Sequence, residues 1–431
     1  MAHPLAAHAA ARFGLGARPG ELEKIGKDPR AWVRRQIGGG RRPPGDFPAS
    51  DVRIREAHAA RDAGNKKEQQ EAARALYHAE AGARLAHAVG SDEPFAERWV
   101  AFFSNLFAVS AHKGPMPGLV GAYEREAIRP NVWGRYADLV LAAELHPAML
   151  LFLDNTRSTG PGSPAGLKRD LGLNENLARE ILELHTLGVN GGYVQADVEA
   201  LAKILTGFSI DAETTGRTAF VTRRHEPGAK GLLGRTYEAG EAAGRAALAD
   251  LAVHPATARN VATRVARHFV ADDPPQSVVT TLARVFAETQ GDLTALANAV
   301  IDLDAAWAAP RDRLRAPIDW LVAAARAVGA TDGEALRKGA ERLGQGLWGP
   351  PSPAGWPDTT AAWAGPDALV ERIALADRLA KPRAGAIDAQ RLADEVLGDA
   401  LSDRTRRALA AAADPRDRLA LLLVCPEMSR R

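Results

Sequence analysis

The chain has 431 residues, 46% hydrophobic and 25% charged, with a formal net charge of +2. That length supports two or three domains and a large core, and the near-neutral balance removes any global electrostatic case for binding nucleic acid or an anionic membrane. Its one cysteine, Cys425, excludes an intrachain disulfide and a cysteine-based metal knuckle.

The opening segment, MAHPLAAHAAARFGLGARPGE, lacks a basic start followed by an apolar run. It reads as the start of a cytoplasmic protein without a signal peptide. No stretch approaches 18 uninterrupted apolar residues, so no transmembrane helix is expected. A short Ala-rich helix is predicted over residues 4–18 and another around Pro29–Ile37. The run GGGRRPPGDFP at 38–48 reads as a surface linker. From Asp51 to Val89 a charged, Ala-rich pattern broken at Gly64–Asn65 predicts a long helical hairpin. Pro94 opens a helix on which Phe95, Trp99, Phe102, Phe103, Leu106 and Phe107 form an aromatic stripe, most simply core. Further helices are expected at about 119–129 and 134–152.

Asp154 to Leu173 is a Gly/Pro/Ser-rich loop. Arg157, Ser158, Lys168 and Arg169, with Gly160, Gly162 and Gly166, precede a helix N-terminus. Such an arrangement can cradle an anion, although the Walker A spacing is absent; an ordinary lid or packed surface loop is the alternative. The loop feeds the densest stretch of ionisable residues, NENLAREILELHTLGVNGGYVQADVEALAKILTG, from Asn174 to Gly207. It reads as two amphipathic helices joined by a Gly-rich turn, with Asn174 as N-cap and Gly188 as a left-handed C-cap. Leu177, Ala178, Ile181, Leu182 and Leu184 share one arc; Glu175, Asn176, Arg179, Glu180, Glu183 and Thr186 share the opposite one. Glu175–Arg179 and Arg179–Glu183 are i,i+4 pairs, and Glu180 and Glu183 are i,i+3 neighbours able to share a proton or a cation. His185 projects from the apolar arc and is expected to be a core histidine bonded to a backbone carbonyl. The Glu-x-x-His pattern of carboxylate-bundle metal proteins is absent, so no metal site is assigned.

After Gly207, Thr218–Arg223 and Lys230–Tyr237 flank His225-Glu226-Pro227-Gly228 and predict a β-hairpin over about 218–237. His254-Pro255 starts a helix with proline at its first position. Its apolar side is Ala258, Val261, Ala262, Val265 and Phe269. Asn260, Arg264, Arg267 and His268 line the other side, read as a solvated basic face with phosphate or an acidic partner as the alternative. In LGQGLWGPPSPAGWPDTTAAW, Trp348, Trp356 and Trp363 surround a proline-rich loop, either a binding platform or a rigid plug over a helix end. From Pro366 the pattern is helical to the end.

The Asn174–Gly207 stretch resembles the signature of a bacterial family, domain of unknown function 1800. Further blocks in that family's order are RFGLGARPGE, FFSNLFAVS, YEREAIRP, LHPAMLLFLDN, GPGSPAGL, RHEPGAKGLLGRTY, HPATARNVATRVARHFVADDPP and LWGPPSPAGWPD. The resemblance spans nearly the whole chain and implies no assigned activity. It also implies a partner, because relatives tend to be encoded beside a sulfatase-like protein. Two positions depart from the family pattern: Leu106 and Asn131 stand where histidines are usual. The resemblance therefore carries over to this chain no chemistry that those histidines serve in relatives.

The expected fold is all-α, one large multi-helical body with a small β-hairpin, arranged as an N-terminal lobe (1–210) and a C-terminal lobe (211–431). Two functions are expected. One is a hydrolase-type enzyme in which Glu180 and Glu183 act as acid/base groups, Arg179 orients them and His225 is a second acid/base. Glu175, Asn176, Arg157, Lys168 and Trp356 would hold its substrate. The other is a non-catalytic binding or assembly protein, with the Glu/Arg face as a strut and the Trp loop as a docking surface. The sequence names no cofactor.

Overall fold

The computed structural model describes residues 4–41, 44–169, 172–308 and 311–431; Arg42 and Pro43 of the linker, Asp170, Leu171 and the Arg169 side chain lie outside it. Among the described residues there are 23 α-helices and two two-stranded antiparallel sheets, so the fold is all-α with a small β element. Buried apolar side chains form one cluster running from Ala6 to Met428. No described helix is long and apolar enough to cross a membrane.

Helices fall where period and punctuation put them. The predicted hairpin is Ser50–Asp62 and Lys66–Gly90, with Gly64 in the left-handed region between them. Proline opens the Pro94–Leu106 and Pro255–Phe269 helices, where its missing N–H costs nothing. The His254 side chain caps the second by accepting the Ala256 N–H. The aromatic stripe is core, as expected: Trp99 stacks on Trp133 with ring centroids 5.7 Å apart, and Phe95 packs edge-on against Phe269. The 154–173 loop is less irregular than its composition suggests, since it contains a 3-10 turn, Asn155–Arg157, and the helix Pro164–Arg169.

The β element sits in the predicted region but pairs differently. Strand β1 (Phe208–Asp211) pairs with β2 (Arg217–Phe220), and β3 (Lys230–Leu232) pairs with β4 (Arg235–Tyr237). The two predicted strands therefore do not pair with each other. The second folds on itself at Leu233-Gly234, where both φ are positive (48° and 77°), the signature of a two-residue type I′ turn. Residues 222–228 connect the two sheets, and His225 lies in this connection rather than at a hairpin tip.

Three single π-helical turns interrupt the helices: Ala9–Phe13, Glu124–Ile128 and Ile181–His185. The second has an electrostatic consequence. The Arg129 N–H donates to the Glu124 carbonyl, five residues back, and this brings the two side chains together (3.0 Å). Around them a buried network closes: Arg129 grips both oxygens of Glu97 (2.8 and 2.9 Å), and Arg84 reaches Glu97 (2.9 Å) and Glu124 (2.7 Å). Burial opposes ionisation of both glutamates, but the Arg84 and Arg129 guanidinium groups outweigh it and hold both carboxyls below the usual range. Removing one member of such a network strands a buried charge. Arg129→Met should lower the unfolding free energy by about 3–5 kcal/mol, read from urea denaturation.

Candidate functional site: an arginine-lined cavity

The central motif forms two helices as its pattern predicts, but Glu175 rather than Asn174 is the N-cap. Thr186, placed on the polar arc, is fully buried after the π turn, with its hydroxyl donating to the Ile181 carbonyl. The Asn174 side chain accepts the Asn176 N–H (3.0 Å) at the start of the Asn176–Glu180 helix, which continues as the π turn. Gly188 closes it at φ 84°, and a Cβ there would meet Asn260 at 3.1 Å. The Glu/Arg face is paired out against the next helix. Arg179 donates to Glu175 (3.1 Å) and to Gln195 (2.9 Å), the first residue of the Gln195–Leu205 helix. It also lies 3.5 Å from Glu183, and Gln195 donates back to Glu175 (2.9 Å). Glu180 is half-buried; burial raises its pKa, with His185 opposing and Glu183 adding to the rise. Asn176 is exposed. His185 is buried as expected, but its partner is a carboxylate instead of a carbonyl. Its Nδ1 lies 2.7 Å from Glu144 Oε1, both side chains being fully buried, because Glu144 ends a helix (Tyr136–Glu144) whose Tyr136 hydroxyl donates to the His185 carbonyl.

The Gly-rich loop packs against a carboxylate of the chain itself, Glu226. The Gly162 N–H donates to Glu226 Oε2 (2.8 Å), and a Cβ on Gly160 would come within 2.5 Å of the Glu226 Cα. Arg157 is exposed and only 3.9 Å from Asp154, and Lys168 is exposed. His225 is buried beside this loop. Its Nδ1–H donates to the Thr206 carbonyl (2.7 Å) and its Nε2 accepts the Gly240 N–H (2.9 Å), so both ring nitrogens are spent on holding the connection.

A different set of residues surrounds a cavity of about 140 Å³. Arg98, Phe102 and Asn105 face it from the Pro94–Leu106 helix, and Arg264 and His268 from the Pro255–Phe269 helix. Asp319 faces it from the first turn of the Pro317–Val328 helix, and the tryptophan–proline segment supplies Trp348, Trp356 and Asp358. Two hydrogen bonds fasten that segment to the wall: Asn105 Nδ2 donates to the Trp356 carbonyl (2.9 Å), and the Trp356 N–H donates to Asn105 Oδ1 (2.7 Å). Trp348 Nε1 donates to Glu124 (3.0 Å), joining the cavity to the buried network.

Most charges in the wall are balanced. Arg98 lies 3.0 Å from Asp319 and Arg431 3.5 Å from the same carboxylate, while Arg313 reaches Asp358 (2.7 Å) and Asp272 (2.8 Å). His268 Nδ1 is 3.2 Å from Asp358. Its Nε2 faces the guanidinium groups of Arg431 (3.4 Å) and Arg98 (3.5 Å). Guanidinium only donates, so Nε2 is the acceptor and the ring proton sits on Nδ1 towards Asp358. Burial, helped by Arg431 and Arg98 and opposed by Asp358, brings the imidazole down to about 4.

Arg264 is the exception. It lines the cavity, yet it has no ion pair and no hydrogen bond among the described residues. Burial lowers its pKa, and Asp358 opposes that only through space. Arg326 shows the usual treatment of a buried guanidinium here: it holds both oxygens of Glu21 (2.9 and 3.0 Å) and the carbonyls of Gly16, Ala88, Val89 and Ser91. Even Arg315 and Arg372, which are less well satisfied, each donate to a backbone carbonyl. Three cavity residues carry a fully buried donor with no hydrogen-bond partner among the described residues: Arg98 Nη2, Trp356 Nε1 and Arg431 Nε. Each such donor costs about 1–3 kcal/mol. Among the described residues no group of three or more His, Cys, Asp or Glu side chains is placed to hold a metal ion.

These features define a helical protein with an arginine-lined cavity closed by a tryptophan–proline segment. The chain belongs to the DUF1800 family, proteins of unknown function, whose model matches residues 8–430. No curated protein and no solved structure is detectably similar. Of the site residues expected from sequence, Trp356 lines the cavity; Arg157, Lys168, Glu175, Asn176, Arg179, Glu180, Glu183 and His225 do not. Neither do Leu106, which is buried, and Asn131, whose amide donates to the Ala127 carbonyl. Arg98, Asn105, Asp319 and Asp358 were missed. The available signal was that FFSNLFAVS, YEREAIRP, the Arg264–His268 helix and LWGPPSPAGWPD all contribute to one wall.

Two outcomes follow from these electrostatics. His268, and His8 likewise held near 4 by burial, bind protons in the unfolded chain between pH 6.5 and 4 but not in the folded one. Stability should therefore fall as pH drops through that window, by on the order of 3 kcal/mol for each group. His268→Gln should flatten the slope seen in pH-dependent urea unfolding. Arg264→Gln should leave the melting temperature unchanged or raise it, because no native partner is lost; a fall of several degrees in calorimetry would mean the guanidinium is paired.

Proposed function

We propose that this protein is a ligand-binding protein whose site is the interior cavity and whose ligand is a small anion. The observation that carries this reading is the Arg264 guanidinium in the cavity wall, which has no ion pair or hydrogen bond among the described residues. A half-buried cation without a counter-ion is unfavourable, and a ligand carboxylate or oxyanion relieves it. Stability held back at such a position is what a binding site requires. The Glu175–Arg179–Glu183 face then serves as a strut between two helices. A sulfatase-like protein as working partner, implied by the family resemblance, fits this binding and assembly role.

The second reading, a hydrolase-type enzyme using Glu180, Glu183, Arg179 and His225, is favoured by one observation: burial raises the Glu180 pKa towards the range useful to a general acid. The two readings separate by mutation. A panel of sulfate, phosphate, acetate and benzoate should contain at least one anion that raises the melting temperature of the wild-type protein but not of Arg264→Gln. Stabilisation by none of them would sink the binding reading. Loss of stabilisation in Glu183→Ala with Arg264→Gln unaffected would favour the second.

A further inference from the structure

We propose that the cavity ligand is a monocarboxylate carried on a flat apolar ring about the size of benzene. This rests on the reading that the cavity binds an anion, and it adds the charge, size and shape of that anion.

Charge comes first. The arginines lining the cavity are Arg84, Arg98, Arg264 and Arg431, and the acids are Glu124, Asp319 and Asp358. Four cations less three anions, with His268 neutral, leave one positive charge. Arg84 is matched by Glu124 (2.7 Å), while Arg98 and Arg431 share Asp319 (3.0 and 3.5 Å) and Arg431 also approaches Asp358 (3.7 Å). The excess is thus located on Arg264. A ligand with one negative charge neutralises it. A dianion such as sulfate would bring a second charge to a wall that already holds Asp319 and Asp358 ionised.

Size and shape follow. A cavity of about 140 Å³ is close to the roughly 150 Å³ that admits one benzene, and well below the roughly 300–1,000 Å³ of pockets for drug-sized ligands. The uncharged wall is built from flat groups: Phe102 and the indoles of Trp348 and Trp356, with Pro350 and Pro357 between them. His268 packs on Phe102 with ring centroids 5.2 Å apart, extending the aromatic surface towards the charged end. Flat walls favour an offset-stacked or edge-on ring.

The donors then fit a carboxylate. The planar guanidinium fork of Arg264 matches its two oxygens. One ligand group therefore offsets the excess positive charge and offers the guanidinium two acceptors.

The test is isothermal titration of the full chain with benzoate as the probe, against benzamide of the same size but no charge, acetate without the ring, and sulfate. Benzoate should bind, with benzamide and acetate each at least tenfold weaker and sulfate unable to compete. Arg264→Gln should weaken benzoate at least tenfold while keeping its melting temperature. Arg264→Lys, which keeps charge but loses the fork, should fall between, and it serves as the test should the glutamine variant misfold. Acetate or sulfate binding as tightly as benzoate, and depending on Arg264, would overturn the ring-bearing ligand and leave the anion site standing. Benzoate binding equally to both variants and wild type would overturn the assignment to this cavity. Binding of no probe at all would overturn both.

Discussion

Pairing of buried guanidinium groups with carboxylates and carbonyls governs how these helices are held together. Arg84 and Arg129 join the Lys66–Gly90 helix, the Pro94–Leu106 helix and the π turn at Glu124 through two shared glutamates. Arg326 ties the Pro317–Val328 helix to Glu21 near the N-terminus. Arg98, Asp319 and Arg431 link two helices to the last residues of the chain. Buried ion pairs contribute less to net stability than their number suggests, because each charge must first leave water. Their stronger effect is selection: an arrangement that leaves one of these charges alone is heavily penalised. Against that rule a guanidinium with no partner is the informative exception.

The exception sits where the segments that build the cavity meet. The walls come from residues 98–109, 264–268, 316–319 and 345–358. Asn105 fixes the tryptophan segment with two hydrogen bonds, and Trp348 ties it to Glu124. The cavity is therefore held by the same buried network that holds the helices, which keeps its donors in place before any ligand arrives. A preorganised site spends less of its binding energy on ordering side chains.

Local pattern made much of this molecule legible. Proline and histidine at helix starts, the break at Gly64–Asn65 and the Gly188 stop all correspond to observed features, since each depends on a few adjacent residues. Strand pairing was not legible: the turn that matters, Leu233-Gly234, is short and lacks the usual Asn or Asp, whereas His225-Glu226-Pro227-Gly228 looks like a turn but forms a connection. The loop before the central motif can be read as a packed surface loop, yet only the three-dimensional structure shows that it packs against Glu226. The same limit applies to the site. The basic face with Arg264 and His268 can be read from the helix period, but it lines a cavity instead of facing solvent as expected; Trp356 can be read from its proline-rich surroundings. That they share a cavity with Arg98 and Asp319 depends on contacts more than 200 residues apart in places, beyond any periodicity.

The measurement that bears most directly on the account is mass-mapped modification of the native protein by phenylglyoxal, which reacts with accessible guanidinium groups that are not engaged in ion pairs. Arg264 should react well ahead of Arg98, Arg129 and Arg326, and added benzoate should slow its modification. An Arg264 as inert as those three, or one whose reactivity ignores benzoate, would contradict the claim that a free cation waits in the cavity.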